Sequence, residues 1–123
     1  MDNYIFIKMS NEDIINCLDK CTICIIGTCD NNLSYMTPVF FDYHKINNAI
    51  TFIIESKNTG RKIKNIASNE YVSIFIQYND HNSYQTIFSE GKASLINYEN
   101  YEKSNMLTIE INVNKIEGRI YYK

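Results

Sequence analysis

Tryptophan is absent from this sequence of 123 residues, proline occurs once and glycine only four times. No internal repeat, linker or low-complexity block divides the chain, and a single domain over residues 1–123 is expected. No apolar run approaches the roughly 20 residues that a membrane-spanning helix needs. The first residues lack the basic, apolar and small-residue order of a secretion signal, so a cytoplasmic protein with no membrane partner is expected. A basic excess is missing too. Twelve Lys and Arg against 14 Asp and Glu leave a formal charge of −2, which counts against a dedicated nucleic-acid binder. Neither a Gly-x4-Gly-Lys-Ser/Thr loop nor a Gly-x-Gly-x-x-Gly fingerprint occurs, so any phosphate is held by something other than a nucleotide-fold glycine loop.

What is present is an ordinary soluble globule, 45% hydrophobic and 21% charged, with room for one real core. Cys17, Cys21, Cys24 and Cys29 crowd into one short span. The Cys-x-x-Cys at 21 and 24 invites a zinc or redox reading, but no second Cys or His pair stands at ligand spacing. Cys24 belongs to the run Thr22–Ile26, where a thiol behaves as a small buried hydrophobe, so the cysteines are read as structural and no metal is assigned. His44 and His81 fall in expected turns and read as surface residues. No convincing general acid or base emerges, and no catalytic residue is assigned.

Along the chain, Met1–Met9 reads as an edge segment or a frayed end. Ser10 followed by Asp13 has the form of a capped helix start, with Ile14, Ile15, Cys17, Leu18 and Cys21 as its apolar face. Strands are expected at Thr22–Cys29 and Leu33–Tyr43, separated by a turn at Asp30–Asn32. Pro38 cannot donate to a ladder and belongs at an edge, a bulge or the entrance to a site. His44–Asn48 reads as a hairpin connection. Tyr84–Asn97 is a long strand with a bulge or bend expected at Gly91. Thr108–Val113 alternates cleanly and continues to the C-terminus. Tyr98–Asn105 is too polar to assign. About six antiparallel strands with two short helices favour a small closed or partly closed β-barrel, a mainly β fold.

The stretch from Ala49 to Asn79 carries most of the functional signal. It reads as a strand (Ala49–Ser56), a polar loop (Lys57–Thr59), a short helix (Gly60–Ala67) and a second strand (Tyr71–Asn79). Ile63, Ile66 and Ala67 share one helical face. Arg61 and Lys62 lie in the first turn, with Lys57 just upstream, and cations there oppose the helix dipole by about 0.3–1 kcal/mol each. Such cations are often no more than a solvated face. A bound anion turns the penalty into a gain, because free first-turn amides and both side chains converge on it, with Ser56, Asn58 and Thr59 as extra donors. The stretch reads as a phosphate site.

Taken in order, Cys24–Thr28, Tyr35-Met-Thr-Pro-Val-Phe40, Ile50–Phe52, Gly60-Arg-Lys-Ile-Lys-Asn-Ile66, Asn69–Ser73, Tyr84–Ile87 and Gly91–Ala93 resemble the pyridoxamine 5′-phosphate oxidase-like split-barrel flavoproteins. They resemble in particular the branch similar to nitroimidazole-resistance proteins. The resemblance covers residues 10–97 and extends more weakly to the last strand. It implies a six-stranded antiparallel split β-barrel of the FMN-binding type, assembled as a homodimer with FMN in the groove between subunits. Arg61 and Lys62 would hold the FMN phosphate, helped by Ser56, Lys57 and Thr59. Backbone groups of Thr37, Pro38, Val39 and Phe40 would meet the isoalloxazine edge. Gln85 and Thr86 match positions from which the partner touches the flavin.

Two departures stand out. Glu55 occupies the place where nitroimidazole-resistance proteins carry a histidine, and a nearby phosphate repels it unless its side chain faces away or pairs with a lysine. Tyr98–Met106 is short for the helix that follows the fifth strand in longer relatives. The vitamin B6 contacts of the true oxidase have no clear counterparts.

The implied function is a flavin-dependent oxidoreductase that takes hydride from a nicotinamide nucleotide and passes electrons to a small acceptor such as oxygen, a quinone or a nitro compound. A deazaflavin, or no cofactor, is left open. So is a non-catalytic flavin- or haem-binding carrier or sensor. An oligonucleotide-binding barrel with stacking aromatics is disfavoured by the acidic balance and by cations gathered in one loop.

Overall fold

The computed structural model describes residues 5–97 and 105–123. Its elements are β1 (Phe6–Lys8), α1 (Asn11–Asp19), β2 (Ile23–Asp30), β3 (Leu33–Phe40), β4 (Asp42–Ile46), β5 (Ala49–Lys57), α2 (Arg61–Ser68), β6 (Tyr71–Asn79), β7 (Ser83–Ile96) and β8 (Met106–Tyr122). All strand pairings are antiparallel. The sheet runs β3-β2-β6-β7-β8-β5-β4, with β1 also on β8. Eight strands stand where six were expected. The edge segment forms β1, and the expected strand Leu33–Tyr43 is two strands hinged at Phe41. The Phe41 amide continues the β2–β3 register by one pair, donating to the Thr22 carbonyl at 3.0 Å, and from Asp42 onward the chain pairs β5 instead. Its ring meets Phe52 edge-on at 5.7 Å. His44 consequently lies in β4, and the β4–β5 turn is confined to Asn47 and Asn48.

The two terminal strands of the sheet, β3 and β4, are neighbours in the chain but not in the ladder. The barrel is therefore split at Phe41. Pro38 lies on the edge strand β3, where its missing N–H costs the sheet no bond. The β2–β3 turn is closed by Asn31 and Asn32 at φ 51° and 64°, the left-handed pair that a two-residue hairpin favours.

β8 holds the sheet together. Its first half pairs β5 and its last residues pair β1, while β7 runs along it throughout. The ladder slips between Glu90 and Gly91: Glu90 pairs Lys115, Gly91 pairs Val113, and Asn114 is left over. The extra residue is thus on β8, opposite the glycine at which the sequence predicted a bulge. Gly91 is needed for a steric reason, since a Cβ there would collide with the Asn112 carbonyl oxygen and come within 3.0 Å of Ile111 Cγ2. The slip resets the two-residue alternation, so that Leu107, Ile109 and Ile111 before it and Ile116, Gly118 and Ile120 after it share the inner face. Phe52, Ile54, Ile74, Ile76 and Ile87 fill that interior together with Cys24 and Ile26.

α1 has the expected capping box: Asp13 N–H donates to Ser10 Oγ at 3.1 Å, and Ser10 N–H donates to Asp13 Oδ2 at 3.0 Å. It buries Ile14, Cys17 and Leu18. α2 turns a different face inward from the one expected. Ile63 and Ile66 are buried, but Ala67 is exposed and Asn65 takes its place. Asn65 Nδ2 donates to Thr28 Oγ1 at 3.0 Å, which fastens the helix to β2. Among the described residues no helix is long and apolar enough to cross a membrane. Tyr98–Asn105 lies, but for Asn105, outside the described residues.

Two buried polar side chains make a matched test. Asn65→Ala removes a bond and orphans Thr28, so chemical denaturation should show a loss of about 1–3 kcal/mol. Ser89 is fully buried and its hydroxyl has no partner, so Ser89→Ala should be neutral or stabilising by about 1 kcal/mol. Alkaline titration supplies another test. Burial pushes the thiols of Cys17 and Cys24 up to about 12. Burial, reinforced by the hydrogen bond to Asp19, takes the Tyr43 phenol to about 12 as well. These groups ionise earlier when unfolded, so their contribution is complete below about pH 9 and is lost as pH rises toward about 12. The unfolding midpoint should fall across that window, and less steeply in the Cys17→Ala, Cys24→Ala variant.

Candidate functional site

The first turn of α2 is open. Gly60 caps it at φ 108°, a left-handed value suited to glycine, and no side chain bonds the free amides. No acid lies in the turn; Arg61 and Lys62 do. Arg61 is exposed, and its guanidinium carbon stands 4.8 Å from the centroid of the Tyr35 ring. Lys62 is half-buried, and that burial lowers its pKa. The ion pair seen among the described residues, Lys92 with Glu70 at 3.9 Å, involves neither cation. Two cations at a positive helix end, without a carboxylate to neutralise them, suit a bound anion.

The surrounding loop is arranged less uniformly. Lys57 and Thr59 are exposed beside the turn. Ser56 is buried and its Oγ donates to the Lys57 carbonyl at 2.9 Å, so its hydroxyl is occupied. Glu55 points to the opposite side of β5 from Ser56, where its carboxylate accepts from Thr108 Oγ1 at 3.0 and 3.1 Å. The repulsion that Glu55 threatened is avoided by strand alternation.

β3 and β7 also divide their expected residues between faces. Thr37 and Val39 pair Ile26 and Cys24 and face inward, while Pro38 and Phe40 pair Ile25 and Ile23 and face outward. Gln85 faces inward and donates from Nε2 to Ser83 Oγ at 3.2 Å. Thr86, one residue on, faces outward opposite Gln77 and Arg119. β7 lies three strand spacings from β3, about 14 Å, so Gln85 and Thr86 do not reach Arg61 within one chain.

A cavity of about 680 Å³ opens on the outer face of β2, β3, β6 and β7. Its walls include Cys29, Tyr35, Met36, Tyr71, Phe88 and Glu90, and Gly27 and Ser73 form a low floor. The volume lies within the range of cofactor sites, about 300–1,000 Å³. Tyr35 joins the two features, since it lines the cavity and carries Arg61 on its ring. None of the expected site residues lines it. The cavity begins one residue before Thr37, at Met36, and draws on β6 and β7 residues that sequence reasoning did not single out. Their signal was the alternation Tyr71, Ser73, Phe75, Gln77, which fixes one common face but not what that face opposes.

The comparisons bear on this geometry. No protein-family model matches the sequence, and neither does any curated protein. Solved structures do match. A FAD-binding protein from Mesorhizobium loti superposes with a TM-score of 0.82 at 11% identity, covering 98% of this chain and 100% of the other. A protein provisionally assigned to 5-nitroimidazole antibiotic resistance, from Bacteroides thetaiotaomicron, gives 0.79 at 17% identity over 98% and 90% of the two chains. A provisionally assigned pyridoxamine 5′-phosphate oxidase from Corynebacterium glutamicum gives 0.77 at 15% identity over 98% and 96%. Over nearly its whole length, this chain has the split-barrel fold of the flavin-binding and pyridoxamine 5′-phosphate oxidase-like proteins.

Proposed function

We propose that the protein binds FMN with its phosphate at the first turn of α2, and that it works as a homodimeric oxidoreductase in the cytoplasm. The observation that carries this reading is the pair Arg61 and Lys62 on an uncapped helix end with no acid in its first turn. A terminal phosphate monoester matches it: two cations neutralise the charge and the free amides donate to its oxygens. Tyr35 steers Arg61 toward β3, whose edge position leaves backbone groups open to a flavin ring. The names of the structural neighbours, among them FAD-binding proteins and an oxidase, point to the same cofactor class.

When bound, the flavin supplies the redox chemistry, between a nicotinamide nucleotide and a small acceptor. This chain contributes binding, orientation and exclusion of water. Lys62 and Arg61 neutralise the phosphate, and the outer cavity offers the aromatic walls Tyr71 and Phe88.

The outer sheet face supports the homodimer. Pro38, Ile25, Phe75 and Phe88 are direct cross-strand neighbours in turn, forming one apolar row across four strands. Phe40 and Met36 beside it are 74% and 72% exposed. Covering this row with a second copy buries it and supplies the second wall that the expected flavin groove requires.

The purified protein should be yellow, and anaerobic NADH or NADPH should bleach it; a bound flavin that is not bleached would assign a carrier instead. The Arg61→Ala, Lys62→Ala variant should bind FMN at least tenfold more weakly, the loss of about two charge-assisted bonds, with an unchanged melting temperature of the apo-protein. Equal FMN affinity would refute the site. Light scattering on the flavin-loaded protein should give twice the chain mass, and Phe75→Glu should shift it to the monomer.

A further inference from the structure

The outer cavity of about 680 Å³ is a trough laid across the strands, and its two ends differ in chemistry. Met36, Gly27, Ser73 and Glu90 are direct cross-strand neighbours in turn, from β3 to β7. Gly27 and Ser73 are small, so the floor they make lies below the next row, where Ile25, Phe75 and Phe88 stand. A second copy seated on those rings roofs the trough and does not fill it. From β3 to β7 is three strand spacings, about 14 Å. At the β3 end, Tyr35 carries Arg61. At the far end stand Glu90 and, from β8, Asn114.

Asn114 is there because of the slip between β7 and β8. Glu90 pairs Lys115 and Gly91 pairs Val113, so Asn114 has no partner in the ladder. Strict alternation from Lys115, whose partner Glu90 faces outward, would turn Asn114 to the interior. The bulge instead aims it into the outer cavity beside Glu90. Asn114 is exposed, and its carboxamide offers a donor and an acceptor side by side. Glu90 is exposed too and forms no ion pair among the described residues. Its cross-strand partner Lys115 does not line the cavity, and among the described residues no other Lys or Arg does. This end therefore presents one amide and one carboxylate beside the aromatic walls Tyr71 and Phe88. Such a set suits a flat ring that bears a carboxamide and is neutral or positive, and it repels an anionic one.

We infer that Asn114 is a specificity-determining residue that reads the carboxamide of a nicotinamide ring at the β7–β8 end of the trough, and that Glu90 selects a neutral or cationic head group there. Asn114 Nδ2 donates to the carboxamide oxygen, and Oδ1 accepts from the carboxamide N–H. A quinone, a nitro group or oxygen offers acceptors only and uses just one half of that pair. The assignment rests on the flavin reading above, in which the cofactor's phosphate and ring edge take the α2 and β3 end and leave the other end to the nucleotide.

Two readouts on one sample separate the inference from the reading it rests on. Visible absorbance of the FMN-treated full chain reports the flavin, and ligand-observed NMR ranks three small probes. These are N1-methylnicotinamide, 3-acetyl-1-methylpyridinium, which lacks the amide N–H, and N-methylnicotinate, which carries a carboxylate instead. The native protein should bind the first about fivefold more tightly than the second, the worth of one hydrogen bond. Its margin over the third should be about tenfold, since repulsion by Glu90 is added. Asn114→Leu should erase the preference for amide over acetyl. Glu90→Gln should remove most of the preference over the carboxylate and leave the amide-to-acetyl ratio at its native value. Neither change should move the melting temperature, since both side chains are exposed. A yellow protein that binds none of the probes, or whose Asn114→Leu variant keeps the native amide-to-acetyl ratio, would overturn the inference and leave the flavin reading standing. A colourless protein would overturn both.

Discussion

The ladder between β7 and β8 is the constraint on which the rest depends. These are the longest strands, and β8 bonds β5 and β1 as well as β7. Without the slip at Gly91, the two-residue alternation would carry Ile116 and Ile120 onto the outer face and bring Lys115 and Glu117 into the core. Burying two unpaired charges among isoleucines is not tolerable. One unpaired residue, Asn114, prevents it, and the close approach of the Asn112 carbonyl restricts the facing position to glycine. The inner face stays apolar over the whole length, and the outer face receives an organised set of rings and charges.

That outer face is where the functional features collect. The Phe75–Phe88 pair divides it, with the larger cavity toward β3 and the α2 end, and a smaller one toward β1 and the C-terminal end of β8. α2 contributes its charged end because its other side is committed. Ile63 and Ile66 pack inward, and the Asn65 bond to Thr28 fixes the rotation of the helix. With those three residues buried, Arg61 is left at the surface over Tyr35. A helix this short gains little from its own hydrogen bonds and relies on that packing.

Much was legible from residues alone. The capping box of Ser10 and Asp13, the turn at Asp30–Asn32, the strand at Ala49–Ser56 and the cations of α2 are local signals, each set by groups within a few positions of one another. Ala67 against Asn65 was not legible, because helical periodicity gives a stripe about 100° wide and only the neighbouring strand shows which edge of it is covered. Nor was the break at Phe41. Leu33–Tyr43 has strand composition throughout, and what ends β3 is a change of partner just after Phe41, from β2 to β5.

The sequence by itself determined the mainly antiparallel architecture, the two helices and a positively charged turn after the strand Ala49–Ser56, since propensity, alternation and capping act over short range. Only the tertiary structure decided that the sheet remains split, that Glu55 faces away from Ser56's side, that Gln85 and Thr86 part to opposite faces, and that Asn114 turns into the outer cavity. Those outcomes depend on register between strands far apart in the chain, and register is fixed by the summed packing of the whole barrel rather than by any one segment.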